Sequence, residues 1–253
     1  MDVTLTLLDS CPTNELVPFS VLVKALEITD IVRGERLREL PTERTEKLTQ
    51  SEFFKDYLEM LTSSKLGETG TKPDPHSCGS TTHISILDRQ GNAASVTTTN
   101  GAGSGVFIPE TGIMLNSMLG EEDLNPNGFH QYTKGVRLSS MISPIIVTNR
   151  GKPVLVTGSA GSNRIRSAVI QVVCNMLCNK MGVEEATIAP RVHLEGNTLH
   201  MEPGILKDDL AKIKGRYKVE RWDQLNLYFG GANTVSLRGS EGDHRRGGFA
   251  MEF

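Results

Sequence analysis

The sequence predicts an α+β fold, layered sheets covered by helices, from three patterns. Residues 15–40 place Leu16, Phe19, Val23, Leu26 and Val32 near the 3.6-residue period of a helix. Residues 82–87 and 93–99 alternate as strands do, with Asp88-Arg89-Gln90-Gly91-Asn92 between them as a turn. Residues 163–181, rich in Ile, Val, Met and Cys, read as an apolar helix.

The first helix keeps Asp30 and Arg33 polar and stops at Pro41. A second helix is expected over 49–62, with Phe53, Tyr57, Leu58 and Leu61 on one face. Residues 63–80 are then rich in Gly, Pro, Ser and Thr without periodicity, which marks a linker. In the first strand Ile84 and Ile86 share one face, His83 and Ser85 the other. A further hairpin is expected from 143–148 and 153–158, joined by Asn149-Arg150-Gly151. Residues 186–190 close a short helix, and the last strands are placed at 217–221, 234–238 and 249–253. The chain thus divides into a helical piece with its linker, 1–80, and a main domain, 81–253. No internal repeat is present.

Composition excludes several classes of function. A net charge of −3 without a basic stripe does not suit nucleic acid, and 5% aromatic residues offer no platform for stacking bases. No apolar run approaches the ~20 residues of a membrane span. Met1-Asp2-Val3-Thr4 is not the start of a secretory signal, and the compartment stays open. Cys174 and Cys178 lie one helical turn apart, a spacing compatible with a metal or redox pair but read as two small core residues. With Cys11 and Cys78 elsewhere, neither a disulfide framework nor a structural metal is expected, and no cofactor. His76, His130, His193, His200 and His244 show no ligand spacing, His83 reads as a strand-surface residue, and Trp222 as a core or subunit-interface residue.

The chemistry concentrates where the linker meets the strand, at Ser80-Thr81-Thr82-His83. A threonine hydroxyl is a poor nucleophile without a base beside it. Its own α-amine, with a pKa of about 7.7–8.0, serves as that base once the preceding peptide bond is cut. A flexible peptide before a rigid strand suits such a cut, although threonines after a linker are also an ordinary way to begin a strand.

Several ordered motifs add to this. Thr81-Thr82-His83-Ile84-Ser85-Ile86-Leu87-Asp88, Gly91-Asn92-Ala93 and Ser95-Val96-Thr97-Thr98-Thr99-Asn100 are followed by Gly103-Ser104-Gly105 and Thr111-Gly112-Ile113-Met114-Leu115-Asn116. Arg137-Leu138-Ser139-Ser140-Met141, Gly158-Ser159-Ala160-Gly161-Ser162-Asn163-Arg164-Ile165, Ala189-Pro190-Arg191 and the tail Asp243-His244-Arg245-Arg246-Gly247-Gly248 complete the set. Together they resemble the small subunit of gamma-glutamyltransferases, and residues 15–80 more loosely resemble the end of that family's large subunit.

The resemblance implies a four-layer αββα N-terminal-nucleophile (Ntn) hydrolase fold and a precursor that cuts itself between Ser80 and Thr81. Thr81 would then attack the γ-amide of a γ-glutamyl compound such as glutathione and pass the acyl group to water or to an amino acid or peptide. By the same resemblance Thr99 hydrogen-bonds the nucleophile, and Asn100 contacts the α-amino end of the substrate. Ser139 and Ser140 bind its α-carboxylate, and the N–H groups of Gly161 and Ser162 form the oxyanion hole. Each of these residues also has an ordinary reading as a strand end, turn or cap. Arg245 and Arg246 match a family tail and are expected in surface ion pairs, usually worth ~0–1 kcal/mol.

The sequence departs from the family pattern in places. Gly161-Ser162 replaces a frequent glycine pair, and the Thr99–Gly103 stretch is shorter. The segment that grips the ammonium reads Asn116-Ser117-Met118-Leu119-Gly120-Glu121-Glu122-Asp123, leaving Glu121 and Glu122 as alternative acidic partners. The large subunit's carboxylate-binding arginine has no match and most of that subunit is not represented, so the alternatives are a truncated piece, a large-subunit partner that completes the fold, or a homo-oligomer. Two other readings stand beside the enzyme: a non-catalytic relative acting as a binding or structural subunit, and an acylase of another amide.

Overall fold

Turn chemistry sets the register of the strand pair that begins at Thr81. Asp88 Oδ1 accepts from the backbone N–H groups of Gln90 and Asn92, both at 2.8 Å, and Gly91 takes φ +88°. That turn pairs β1 (Thr81–Leu87) with β2 (Ala93–Thr99) antiparallel, from Leu87↔Ala93 to Thr81↔Thr99. The computed structural model describes residues 16–36, 59–61, 81–125, 128–138, 140–213 and 215–253. The linker at 63–80, Ser80, Ser139 and most of the helix expected over 49–62 lie outside the described residues.

The hairpin belongs to a compact unit made of residues 74–172, 182–189 and 227–253. Its second sheet has the order β3 (Ile145–Asn149), β4 (Lys152–Ala160), β8 (Gly231–Ser236), β9 (Gly239–Glu241), with every pairing antiparallel. The hairpin lies against β4 and β8, and the short helix α3 (Val183–Ile188) packs on β8 and β9. β4 is buried throughout Leu155–Ala160. Its apolar Leu155-Val156 and small Gly158-Ser159-Ala160 suit a strand buried along that length.

Between the two sheets the contacts are polar. Ser85 Oγ donates to the Asn233 carbonyl at 2.9 Å, Ser95 Oγ to the Thr157 carbonyl at 3.1 Å, and Asn233 Nδ2 to the His83 carbonyl at 2.9 Å. The apolar face of the hairpin points outward, with Ile84, Ile86 and Val96 about half exposed. His83 is therefore not the surface residue expected. It is 4% exposed, and its ring occupies the space that any side chain on residue 158 would fill, so Gly158 makes room for it.

After β4 a 3₁₀ turn at Ser162–Arg164 leads into α2 (Ile165–Leu177), where Ile165, Ala168, Val169, Ile170, Val172, Val173 and Cys174 are buried. Cys174 and Cys178 are free thiols. The second compact unit comprises residues 1–73, 173–181 and 190–226, so each unit gathers separate stretches of chain. It contains α1 (Phe19–Arg36), the sheet β5 (Val192–Glu195), β6 (Thr198–Met201), β7 (Lys218–Arg221), and the short α4 (Lys207–Ala211). Here α1 packs on β5, and the Tyr217 hydroxyl donates to Glu27 Oε2 at 2.9 Å. Trp222, just after β7, packs its ring tilted against His200 at 6.3 Å.

The strand expected over 249–253 does not form. The segment is irregular, with Phe249, Met251 and Phe253 exposed, and the edge position beside β8 is taken by β9 instead. Arg245 also departs from expectation. Rather than sitting in a surface pair, its side chain is buried against Asp243 at 3.3 Å and donates to the carbonyls of Thr187, Ile188 and Ala189 at the end of α3.

Candidate active site

Thr81 opens β1, and the register places it directly across from Thr99, the last residue of β2. Thr81 Oγ1 donates to Thr99 Oγ1 at 3.0 Å, and Thr99 Oγ1 also accepts from the Gly101 N–H at 2.9 Å. The Thr99 hydroxyl is thus held by backbone on one side and orients the Thr81 hydroxyl on the other. Past Thr99 the chain turns at Gly101 (φ +65°) and Gly103 (φ +80°), and the Asn100 carbonyl accepts from the N–H groups of Gly103 and Ser117.

That turn brings the acidic segment to the Thr81 end of the hairpin. Ser117 Oγ accepts from the Ala102 N–H at 2.9 Å, and a side chain on residue 101 would collide with the Glu121 carboxylate. Burial pushes the Glu121 carboxyl above its ordinary value, the Asp123 charge adds to the rise, and a hydrogen bond from the Ala102 backbone opposes it. The 3₁₀ turn Glu122–Leu124 leaves Glu122 exposed, whereas Glu121 and Asp123 are half-buried. Of the two acidic alternatives, Glu121 lies beside the Thr99–Gly101 turn.

Asp123 connects this turn to the end of β4: its Oδ2 accepts from Ser162 Oγ at 3.4 Å. Gly161 and Ser162 take φ +129° and +54°. The left-handed region costs a side-chain-bearing residue about 1–2 kcal/mol, so Ser162 is held against its own preference. Gly161 backs onto Gly230, itself at φ +82°; a methyl on Gly161 would stand 2.8 Å from the Gly230 Cα. Arg164 anchors the helix side of this loop, donating from Nε to the Tyr228 carbonyl at 3.1 Å with its guanidinium 4.6 Å from the Tyr228 ring centroid.

Two residues along β1 from Thr81 lies His83, with Nδ1 2.7 Å from Thr97 Oγ1 and Nε2 2.9 Å from Ser85 Oγ. Burial lowers its pKa to about 4, so the ring is neutral at physiological pH. Asn233 bonds the His83 carbonyl and accepts from the Asp243 N–H at 3.2 Å, tying the turn at Asp243 to β1.

Thr81, Thr99, Glu121, Gly161 and Ser162 therefore belong to one compact unit, linked by a run of contacts through Gly101 and Asp123. Asn100 is exposed beside them. Among the described residues no hydrogen bond joins Ser140 or the Glu122 carboxylate to this set. Ser140 is exposed, and Ser139 and Ser80 lie outside the described residues. Sequence reasoning assigned no role to Asp123 by itself, to Ser117 or to Gly230.

The family pattern described as Gamma-glutamyltranspeptidase matches residues 21–251. The chain belongs to the gamma-glutamyltranspeptidase family. The glutathione hydrolase proenzyme of Bacillus subtilis subsp. natto is 32% identical over 174 residues, which are 68% of this chain and 28% of that protein. The acylase ACY 1 proenzyme of Pseudomonas sp. (strain SE83) is 33% identical over 160 residues, 62% of this chain and 28% of that protein. The chain thus spans little more than a quarter of the length of these relatives. Among solved structures, the Helicobacter pylori gamma-glutamyltranspeptidase T380A mutant superposes with TM-score 0.54 at 33% identity, over 65% of this chain and 99% of that one. Cephalosporin acylase from Bacillus halodurans superposes with TM-score 0.71 over 93% of this chain and 44% of its own, at 21% identity, and so bears on fold alone. The α+β architecture is that of the Ntn hydrolases in this family.

Proposed function

We propose that this gamma-glutamyltranspeptidase relative cuts itself between Ser80 and Thr81 and then uses Thr81 to transfer or hydrolyse a γ-glutamyl group. The observation that carries the reading is the 3.0 Å bond from the Thr81 hydroxyl, at the first position of β1, to Thr99. Cutting before Thr81 leaves the amine and the hydroxyl on one residue, and the amine takes the proton as the oxygen attacks the γ-carbonyl. The N–H groups of Gly161 and Ser162 receive the charge that develops on the carbonyl oxygen. The leaving amine departs protonated, and water or an amino acid or peptide amine releases the acyl group. His83 does not serve as the base, because both ring nitrogens are engaged by Thr97 and Ser85 on the inner side of the hairpin.

Glu121 and Asp123 supply negative charge between the hairpin and the Gly161–Ser162 loop, which suits the α-ammonium of a γ-glutamyl group, with Ser139 and Ser140 assigned to its carboxylate. A large-subunit partner or a second copy supplies what further cover and carboxylate-binding charge the substrate needs. The acylase relative supports a second reading, an amide without the ammonium. Intact mass after expression tests the first step: wild type resolves into 1–80 and 81–253, while Thr81→Ala stays whole and inactive. A wild-type chain that remains whole on prolonged incubation removes the mechanism. Turnover of a γ-glutamyl anilide well above a glutaryl anilide is expected, and the reverse preference selects the acylase reading.

A further inference from the structure

Three glycines leave a slot without side chains beside the Gly161–Ser162 loop, and one residue of the tail fills it. Gly161 backs onto Gly230. A methyl on Gly230 would meet Ser159 Oγ at 2.9 Å and the Ala160 carbonyl at 3.0 Å. A methyl on Gly231 would meet Cβ and Cδ of Arg246 at 2.8 Å and Cγ at 2.9 Å. The stem of Arg246 therefore lies flat across Gly231, and its Nη2 stands 3.7 Å from where a methyl on Gly161 would be.

The base of this side chain is fixed. Arg246 closes the 3₁₀ turn His244–Arg246, and its N–H donates to the Asp243 carbonyl at 3.2 Å. The Asp243 carboxylate accepts from the Ala232 N–H at 2.8 Å, which ties that turn to β8. The loop it reaches is the part of the site that needs holding, since Ser162 is left-handed and its bond to Asp123 is long at 3.4 Å. Arg164 secures only the helix side of the loop. A cation beside the first turn of a helix opposes the helix dipole, so stability of α2 does not explain the placement.

We propose that Arg246 is a positioning residue: its side chain clamps the Gly161–Ser162 loop and thereby aims the loop's two N–H groups at the oxyanion. The clamp rests on the function proposed above only for its effect on catalysis; its effect on the loop stands apart. Arg246→Met keeps the stem and removes the fork and the charge, and Arg246→Lys keeps the charge alone. In the full chain, hydrogen exchange of the amides at 161–164 should quicken about tenfold in Arg246→Met while those of β1 and β2 stay as in wild type. On a γ-glutamyl anilide, kcat should fall about 10²-fold with KM within about twofold, and Arg246→Lys should fall between. Unchanged loop exchange overturns the clamp, and quickened exchange with unchanged kcat overturns its aiming role. Quickened exchange in a chain whose wild type never turns over sinks the proposed function and leaves the clamp. Should loss of β1–β2 protection show that the Met variant does not fold, the Lys variant decides by the same criteria.

Discussion

A histidine two residues from Thr81, the proposed nucleophile, invites the role of base, and burial removes His83 from it. The ring is neutral because its surroundings penalise charge, with its folded pKa near 4 against an ordinary 6.5. The unfolded chain therefore binds the proton first, so stability is full above pH 6.5 and is lost as pH falls toward 4. Allowing for partial solvent contact at the ring, about 2 kcal/mol should go over that window. Urea titrations at stepped pH on wild type and His83→Asn measure it; the Asn variant, which has no proton to gain, should lack this portion of the slope. An identical slope in both would assign the loss to other groups. Ser162 makes a related point, because its left-handed backbone is a cost that surrounding contacts must offset.

At the scale of elements, the tail from Asp243 to Gly248 acts as a bracket between α3 and β8. Arg245 pairs with Asp243 and donates to three carbonyls at the end of α3, while the Asp243 carboxylate also takes backbone N–H groups from Ala232 and Arg245 itself. Removing one partner leaves a buried charge, so Arg245→Met should destabilise by about 3–5 kcal/mol. A thermal melt indistinguishable from wild type would show that the bracket contributes nothing. This burial was not legible in the sequence, because an Arg-Arg pair near a chain end has the composition of a solvated surface. The hairpin was legible, since Asp88 to Asn92 specify a turn and β2 matches its expected bounds residue for residue. Its inward face was not, because Ile84 and Ile86 argue for apolar-in packing and only the tertiary place of Gly158 admits a histidine there. The pair β5 and β6 is legible too: Gly196-Asn197 between Val-His-Leu-Glu and Thr-Leu-His-Met is a two-residue hairpin signal. β9, only Gly-Ser-Glu, has no strand propensity and is formed by the edge it joins. Of the site, Thr81 with Thr99 could be read from motif order, whereas Asp123 against Ser162 depends on a turn conformation that no pattern encodes.

At the scale of the molecule, the proposed cut would fall between two stretches that build one compact unit together. Residues 16–36 lie before the cut, and residues 173–181 and 190–226 after it, yet all belong to that unit. α1 packs on β5, the Val17 N–H donates to Asn179 Oδ1 at 3.1 Å, and Tyr217 bonds Glu27, whose carboxyl burial pushes upward. Val23, Ala25, Ile28 and Val32 of α1 are buried, and so are Val192, Leu194, Leu199 and Met201 of β5 and β6. Cleavage therefore need not release the N-terminal piece. The pieces 1–80 and 81–253 should elute together under native conditions and separate only in denaturant. Tyr217→Phe removes a donor from a buried carboxylate, and separation should then come at lower urea, by the equivalent of about 1.5–3 kcal/mol. A protease site introduced within residues 63–80 allows the same measurement if self-cleavage does not occur. Dissociation of the wild-type pieces in plain buffer would mean that the loop closure supplied by the intact chain, rather than the shared core, holds α1 to its sheet.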